Sequence, residues 1–231
     1  MPIPHSSRRV SLVLTTLLMA GPGFGAGGGS MPSGGGMSDL PARAPVSPED
    51  QARDQYNAGV RLIEKADGLI ADASHQADAK KQQKLRDKAA NGYENALKKF
   101  GRATELQPSM YQAWNYLGYS HRKLGRYDAA LAAYDRALAL KPGYAEAIEY
   151  RGHAYLGLDR LSDAQQAYLT LFSSNRKLAA QLLAGMQEWV GAHRDDAQGL
   201  DVAAFATWVS ERGVIAGQTA SLGREGTSAA W

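Results

Sequence analysis

A recurrence of 34 residues constrains this chain more than any other feature. It centres on residues 114–142, WNYLGYSHRKLGRYDAALAAYDRALALKP. Shifted forward by 34, Gly118 falls on Gly152, Ala130 on Ala164 and Tyr134 on Tyr168. Shifted back, Ala130 falls on Ala96, Tyr134 on Phe100, Ala137 on Ala103 and Pro142 on Pro108. Within the unit, Trp114, Leu117, His121 and Leu124 share one helical face, and Ala130, Leu131, Tyr134, Ala137 and Leu138 share another. Gly118 and Ala130 are small where two helices must approach closely, and Pro142 cannot continue a helix. One such pair cannot bury its own apolar faces, whereas stacked neighbours can, so the spacing predicts a quasi-one-dimensional array.

The residues Trp114, Leu117, Gly118, Ala130, Tyr134 and Pro142, with His121 in place of a tyrosine, resemble the tetratricopeptide repeat. The resemblance implies an all-α, right-handed α-solenoid of about three helix pairs. Pairs are expected over 47–110, 111–144 and 145–178. In the last, Gly152, Tyr155, Ala164 and Tyr168 keep the pattern, but Leu171 and Arg176 replace the small residue and the proline. Such a degraded end suits a unit running into a cap. Capping helices are expected over 179–213, from the stripes Leu178, Leu182, Leu183, Met186, Trp189, Val190 and Val202, Phe205, Trp208, Val209. A poorly ordered tail is expected over 214–231.

The first pair is unusual. Gly118 and Ala130 are 12 positions apart, whereas Gly59 and Ala96 are 37 apart, so 25 residues are added. They are mostly helix formers with few breakers. Lengthening both helices by about twelve residues projects a hairpin roughly 18 Å beyond the stack; a flexible loop over 71–91 is the alternative.

Before the array, Arg8 and Arg9 precede an apolar run from Val10 to Ala20, and small residues follow at Gly23, Gly25 and Ala26. That is the layout of a cleaved secretory signal peptide over 1–26. It points to export into the periplasm or beyond, without choosing the route. Nine of the 25 glycines fall between 21 and 36, and residues 27–46 read as a disordered Gly/Ser/Pro-rich linker. GFGAGG at 23–28 has the glycine spacing of a dinucleotide loop but lacks the strand and helix that such a loop needs. Ser47, Pro48, Glu49 and Asp50 then start a helix: a cap, a first-turn proline and two acids on the positive end of the dipole.

The formal charge is +3, two units of which come from Arg8 and Arg9, so general nucleic-acid affinity is not indicated. The sequence holds no cysteine, which excludes disulfides, thiolate metal sites, a cysteine nucleophile and a lipid-modified cysteine. The five histidines show no metal-ligand spacing. HRDD at 193–196 lacks the other parts of a kinase site, and no Gly-x-Ser-x-Gly elbow exists. No enzyme activity, metal or cofactor is expected. Trp114, Tyr134, Tyr155 and Tyr168 are expected in the core.

In tetratricopeptide proteins the first helix of each pair lines a concave groove. The resemblance places Gln112, Asn115, Tyr119, Arg122 and Lys123 there from the central unit, with Glu146, Glu149 and His153 from the next; Leu156 and Gly157 complete that set. The groove would be basic on one side and acidic on the other, suited to an extended peptide of mixed charge. The carboxylate-binding version of such grooves wants Lys and Asn on the first pair, where Tyr56 and Val60 stand. The expected role is a non-catalytic adaptor in an envelope or secretion assembly, with another protein as partner, no membrane span after signal cleavage and the oligomeric state open. Two alternatives stand beside it: a binder of anionic polymer or lipid through Lys80–Lys88, and an accessory subunit of an enzyme.

Overall fold

The computed structural model describes residues 47–194 and 201–225, with side chains to residue 218. The expected signal peptide and linker, 1–46, lie outside the described residues. The rest is helical: α1 Pro48–Ser74, α2 Ala79–Leu106, α3 Tyr111–Lys123, α4 Tyr127–Leu140, α5 Ala145–Leu156, α6 Leu161–Ser174, α7 Arg176–Ala192 and α8 Val202–Glu225. No strand occurs among the described residues. The fold is an all-α tetratricopeptide-type solenoid.

Helix α1 begins where Ser47 accepts a hydrogen bond from the Asp50 amide at 3.0 Å, with Pro48 in the first turn. It has 27 residues and α2 has 28, against 12 to 14 in α3 to α6. The added residues thus form a helical hairpin, not a loop. Its turn is closed by Asp78, whose Oδ1 accepts from the amides of Lys80 at 2.9 Å and Lys81 at 3.0 Å. Gln82 Nε2 donates across the turn to the Ala73 carbonyl at 3.1 Å. Between the two helices runs a seam of buried alanines, Ala66, Ala73, Ala89 and Ala96. Small side chains let long helices lie close over their whole length.

The glycine–ring contact repeats. A Cβ on Gly59 would stand 2.7 Å from the Phe100 ring, and one on Gly118 would stand 2.6 Å from the Tyr134 ring. Each glycine is therefore the seat of the large buried ring on the second helix of its own pair. In the third pair the register changes, and Gly152 seats Leu182 of α7. The turn between α3 and α4 uses Gly125 at φ +73°. Its counterpart 34 residues on, Asp159, takes φ 57°, a conformation that Asp tolerates better than most side chains.

The core has a C-terminal cluster around Leu171, Leu182, Met186, Trp189 and Phe205. A second surrounds Ile63, Tyr93 and Phe100, and a small one joins Ala130, Tyr134 and Ala154. Tyr134 and Tyr168 are buried as expected, but Trp114 and Tyr155 are only half-buried. Trp114 keeps its indole N–H on the Pro108 carbonyl at 2.9 Å, close to solvent.

Two boundaries differ from expectation. Residue 178 lies inside α7, because Asn175 both ends α6 and caps α7, its side chain accepting from the Leu178 amide at 3.1 Å. Residues 214–225 are helical as the second half of α8, where a poorly ordered tail was expected. Gly213 and Gly217 cost a helix only about 1 kcal/mol each, and Ala216 packs on the C-terminal cluster. Residues 226–231 lie outside the described residues.

Candidate peptide-binding face

Helix α3 packs on α1, α2, α4 and α5, and α5 packs in turn on α7. The first helices of successive pairs are thus side by side and present one face. The expected groove residues lie on or under it, at different depths. Gln112, Arg122, Lys123 and His153 are half-buried, and Glu146 is exposed. Asn115, Tyr119 and Glu149 are buried, at 1, 9 and 6% exposure. The Asn115 amide oxygen accepts no hydrogen bond among the described residues.

Burial here comes with internal partners. Asp67 of α1 accepts from the Tyr93 hydroxyl at 2.6 Å and the Tyr119 hydroxyl at 2.7 Å, and pairs with Lys123 Nζ at 3.1 Å. The Lys123 ammonium lies 5.4 Å from the Tyr93 ring and 5.6 Å from the Tyr119 ring. Its side chain is only 6% exposed. Burial drives its pKa down to about 8, although Asp67 opposes the shift. Burial and the Asp67 carboxylate together push the Tyr93 and Tyr119 hydroxyls well up.

The Arg122 guanidinium stands 5.1 Å from the Tyr119 ring and 5.5 Å from the Tyr150 ring. Burial works against its charge, but Tyr134, Tyr119 and Glu149 more than offset this and raise its pKa. Glu149 also shares a 3.2 Å hydrogen bond with His153 Nε2. Arg122 and Glu149 do not form opposite basic and acidic rims. Arg122 lies against the Tyr119 and Tyr150 rings, and Glu149 is buried with His153 as its partner, so both belong to the floor beneath the face.

Nearer the surface are Tyr56 and Glu64 on α1, which stand in the first pair where Asn115 and Lys123 stand in the second, and Tyr116 on α3, which the motif positions did not select. Tyr116 and Tyr150 are 34 apart, so the period itself could have found that pair. Asp67 carried no such signal, because it belongs to the added length of α1. Among the described residues no cluster of three His, Asp or Glu side chains could hold a metal. No described helix is long and apolar enough to cross a membrane.

Residues 76–145 match the tetratricopeptide repeat family model. A solved structure titled "MamA RS-1 ArsTM double mutant" is similar at 21% identity, covering 70% of this chain and 94% of that one, with a TM-score of 0.36. No curated protein matches. The family match takes in α2, α3 and α4, the stretch in which Gly118 seats Tyr134 and Pro108 and Pro142 end their helices. Residues 76–145 are thus similar to tetratricopeptide repeats in sequence and in the way their helices pack.

Proposed function

We propose that this protein is a non-catalytic adaptor that holds an extended segment of another protein on the face formed by α1, α3 and α5. Tetratricopeptide repeats are a scaffold for protein–protein interaction, and the observation that carries the reading is the build of this face. Lys123 below the surface is held by Asp67 and Glu149 by His153, which limits what must be ordered when a partner arrives. The surface residues of the face, Tyr56, Glu64, Gln112, Tyr116 and Glu146, come from three successive first helices, α1, α3 and α5. The leader-like pattern in 1–26 supports a place in the periplasm or outside the cell, in an envelope assembly.

A second reading is favoured by one observation. Lys80, Lys81, Lys84 and Lys88 are all exposed near the hairpin tip, and Asp78 is occupied in capping α2. That stretch could hold an anionic polymer or lipid surface.

Photo-crosslinking in intact source cells separates the two. A crosslinker placed at Gln112 or Glu146 should trap one protein, while the same group at Arg136 on α4 traps none. Trapping from Lys84 alone, lost at raised ionic strength, transfers the function to the hairpin and sinks the groove reading.

A further inference from the structure

The sequence holds eleven tyrosines and only four phenylalanines, and most of the tyrosines at this face already carry a cation. Lys123 lies over Tyr93 and Tyr119, and Arg122 over Tyr119 and Tyr150. Tyr111 and Tyr144 form an edge-to-face pair, with centroids 4.9 Å apart at 79°. The Lys141 ammonium sits 4.5 Å from the first ring and 5.3 Å from the second, and donates to the Tyr111 hydroxyl at 2.9 Å.

Tyr56 and Tyr116 make a similar corner, with centroids 5.8 Å apart at 69°. Phe100 is its floor, stacked under Tyr116 at 5.3 Å and edge-on to Tyr56 at 5.9 Å. Phe100 is fully buried against Gly59, so the corner has a fixed base. Both tyrosines remain half-exposed. Among the described residues, no cation lies over either ring. Glu64 on α1 and Glu146 on α5 are exposed and form no ion pair among the described residues. Tyr116 lies on α3, which packs on both α1 and α5, the helices that carry Glu64 and Glu146; after burial, the fields of Glu64, Asp67 and Glu146 hold the Tyr116 hydroxyl up. Asp67 is already engaged by Lys123.

We propose that the corner of Tyr56 and Tyr116, flanked by Glu64 and Glu146, receives a lysine or arginine side chain of the bound segment. Two ring faces at a steep angle attract a cation through their quadrupoles, and two unpaired carboxylates supply the opposite charge. The neighbouring Tyr111–Tyr144 pair has the same arrangement with its cation in place, drawn from the chain itself. The inference deepens the adaptor reading and rests on it for the source of the cation: a basic residue at one fixed position of the partner segment.

The test uses the full chain with 13C-labelled tyrosine rings. It is titrated with the N-acetyl methylamides of lysine, of arginine and of norleucine, the uncharged analogue of lysine. The lysine and arginine probes should shift Tyr56 and Tyr116 saturably, and the norleucine probe should not. Glu64→Gln with Glu146→Gln should weaken binding by about two- to fivefold per carboxylate. Both sites are exposed, so the fold is not at stake. Tyr116→Phe should keep the binding and Tyr116→Leu should lose it. Equal shifts from norleucine, no shift from any probe, or no change in the double carboxylate variant would overturn the inference. Selection of displayed random peptides on the same chain separates it from the adaptor reading. Peptides selected without a basic residue at a fixed position overturn the inference alone. Failure to select any peptide, while the lysine probe still shifts Tyr116, overturns the adaptor reading and the segment as the cation's source.

Discussion

Gly118→Ala tests the packing logic most directly. Carbon atoms in contact rest at about 3.5–4.0 Å. The added methyl would stand 2.6 Å from Tyr134 Cε1, 2.7 Å from Cδ1 and 3.0 Å from Cζ. It would lie about 1 Å inside the ring's contact surface. The ring cannot retreat, because Tyr134 is fully buried and packed among Ala130, Leu131 and Ala154. Overpacking of this kind costs about 1–3 kcal/mol, against a helix-propensity gain of up to ~1 kcal/mol. Gly101→Ala supplies the control, since that glycine is also inside a helix and a Cβ there meets nothing within 4 Å. The propensity gain cancels between the two variants, so their difference isolates the contact. Taking the middle of the range, Gly118→Ala should melt about 4–8 °C below Gly101→Ala, and its urea midpoint by circular dichroism should move the same way. Adding Tyr134→Leu should make the Gly118→Ala step cheaper by coupling within the contact. Equal midpoints for the two alanine variants would refute the claim that Gly118 exists to seat the ring.

The remaining predictions concern the buried charges. Lys123 titrates near pH 8 in the folded chain and near 10.5 when unfolded. Below pH 8 both states hold the proton, and between about 8 and 10.5 only the unfolded state does. Stability should therefore rise with pH between about 8 and 10, by up to about 3 kcal/mol. Above pH 10 it should fall, because the raised Tyr93 and Tyr119 hydroxyls keep protons that unfolded tyrosines release. Urea midpoints from pH 7 to 10 should show the rise in the native chain and not in Lys123→Met; a rise of equal size in both would assign it to another group. Asp67→Ala removes the acceptor of two tyrosine hydroxyls and the partner of a buried ammonium, and should cost about 2–3 kcal/mol after allowance for the partial exposure of Asp67. Lys123→Met added to it should recover part of that loss, and a purely additive double variant would show that the pair does not act as a unit.

The repeat was legible because its steric demand is written in pairs of residues. A small residue and a ring four positions on, Ala130 with Tyr134 and Ala96 with Phe100, recur at 34 and can be read without coordinates. The hairpin was legible because helix formers fill 71–91 with few breakers, whereas its cap, Asp78, emerged only from the structure. The binding face was only partly so. Motif positions tell which side of a helix a residue occupies but not how deep it sits. Helix α3 has neighbours on several sides, so Asn115 and Tyr119 are covered although they sit at groove positions. Arg122 and Glu149 looked like opposite rims because a sequence does not show that Arg122 lies against the Tyr119 and Tyr150 rings and that Glu149 is buried beside His153. The C-terminal half of α8 was hidden by Gly213 and Gly217, which read as breakers but are tolerated where no proline follows.

Asp67 changes what the elongated hairpin is for. The added length of α1 looks at first like an appendage projecting from the stack. Yet Asp67 lies in that length, and it ties α1 to α3 through Lys123 and Tyr119 and to α2 through Tyr93. A helix of ordinary length, ending as α3 does five residues after its seat glycine, would stop near Glu64 and leave Lys123 without its carboxylate. Lys123 and the tyrosine hydroxyls would then face an uncompensated burial, and the floor of the face would lose its anchor. The first turns of the extension are therefore part of the proposed binding face. Only the length beyond Asp67, carrying Lys80 to Lys88, is available for a separate role. The two functional readings thus divide at a definite residue: α1 up to Asp67 serves the groove, and the tip beyond it serves whatever the exposed lysines meet.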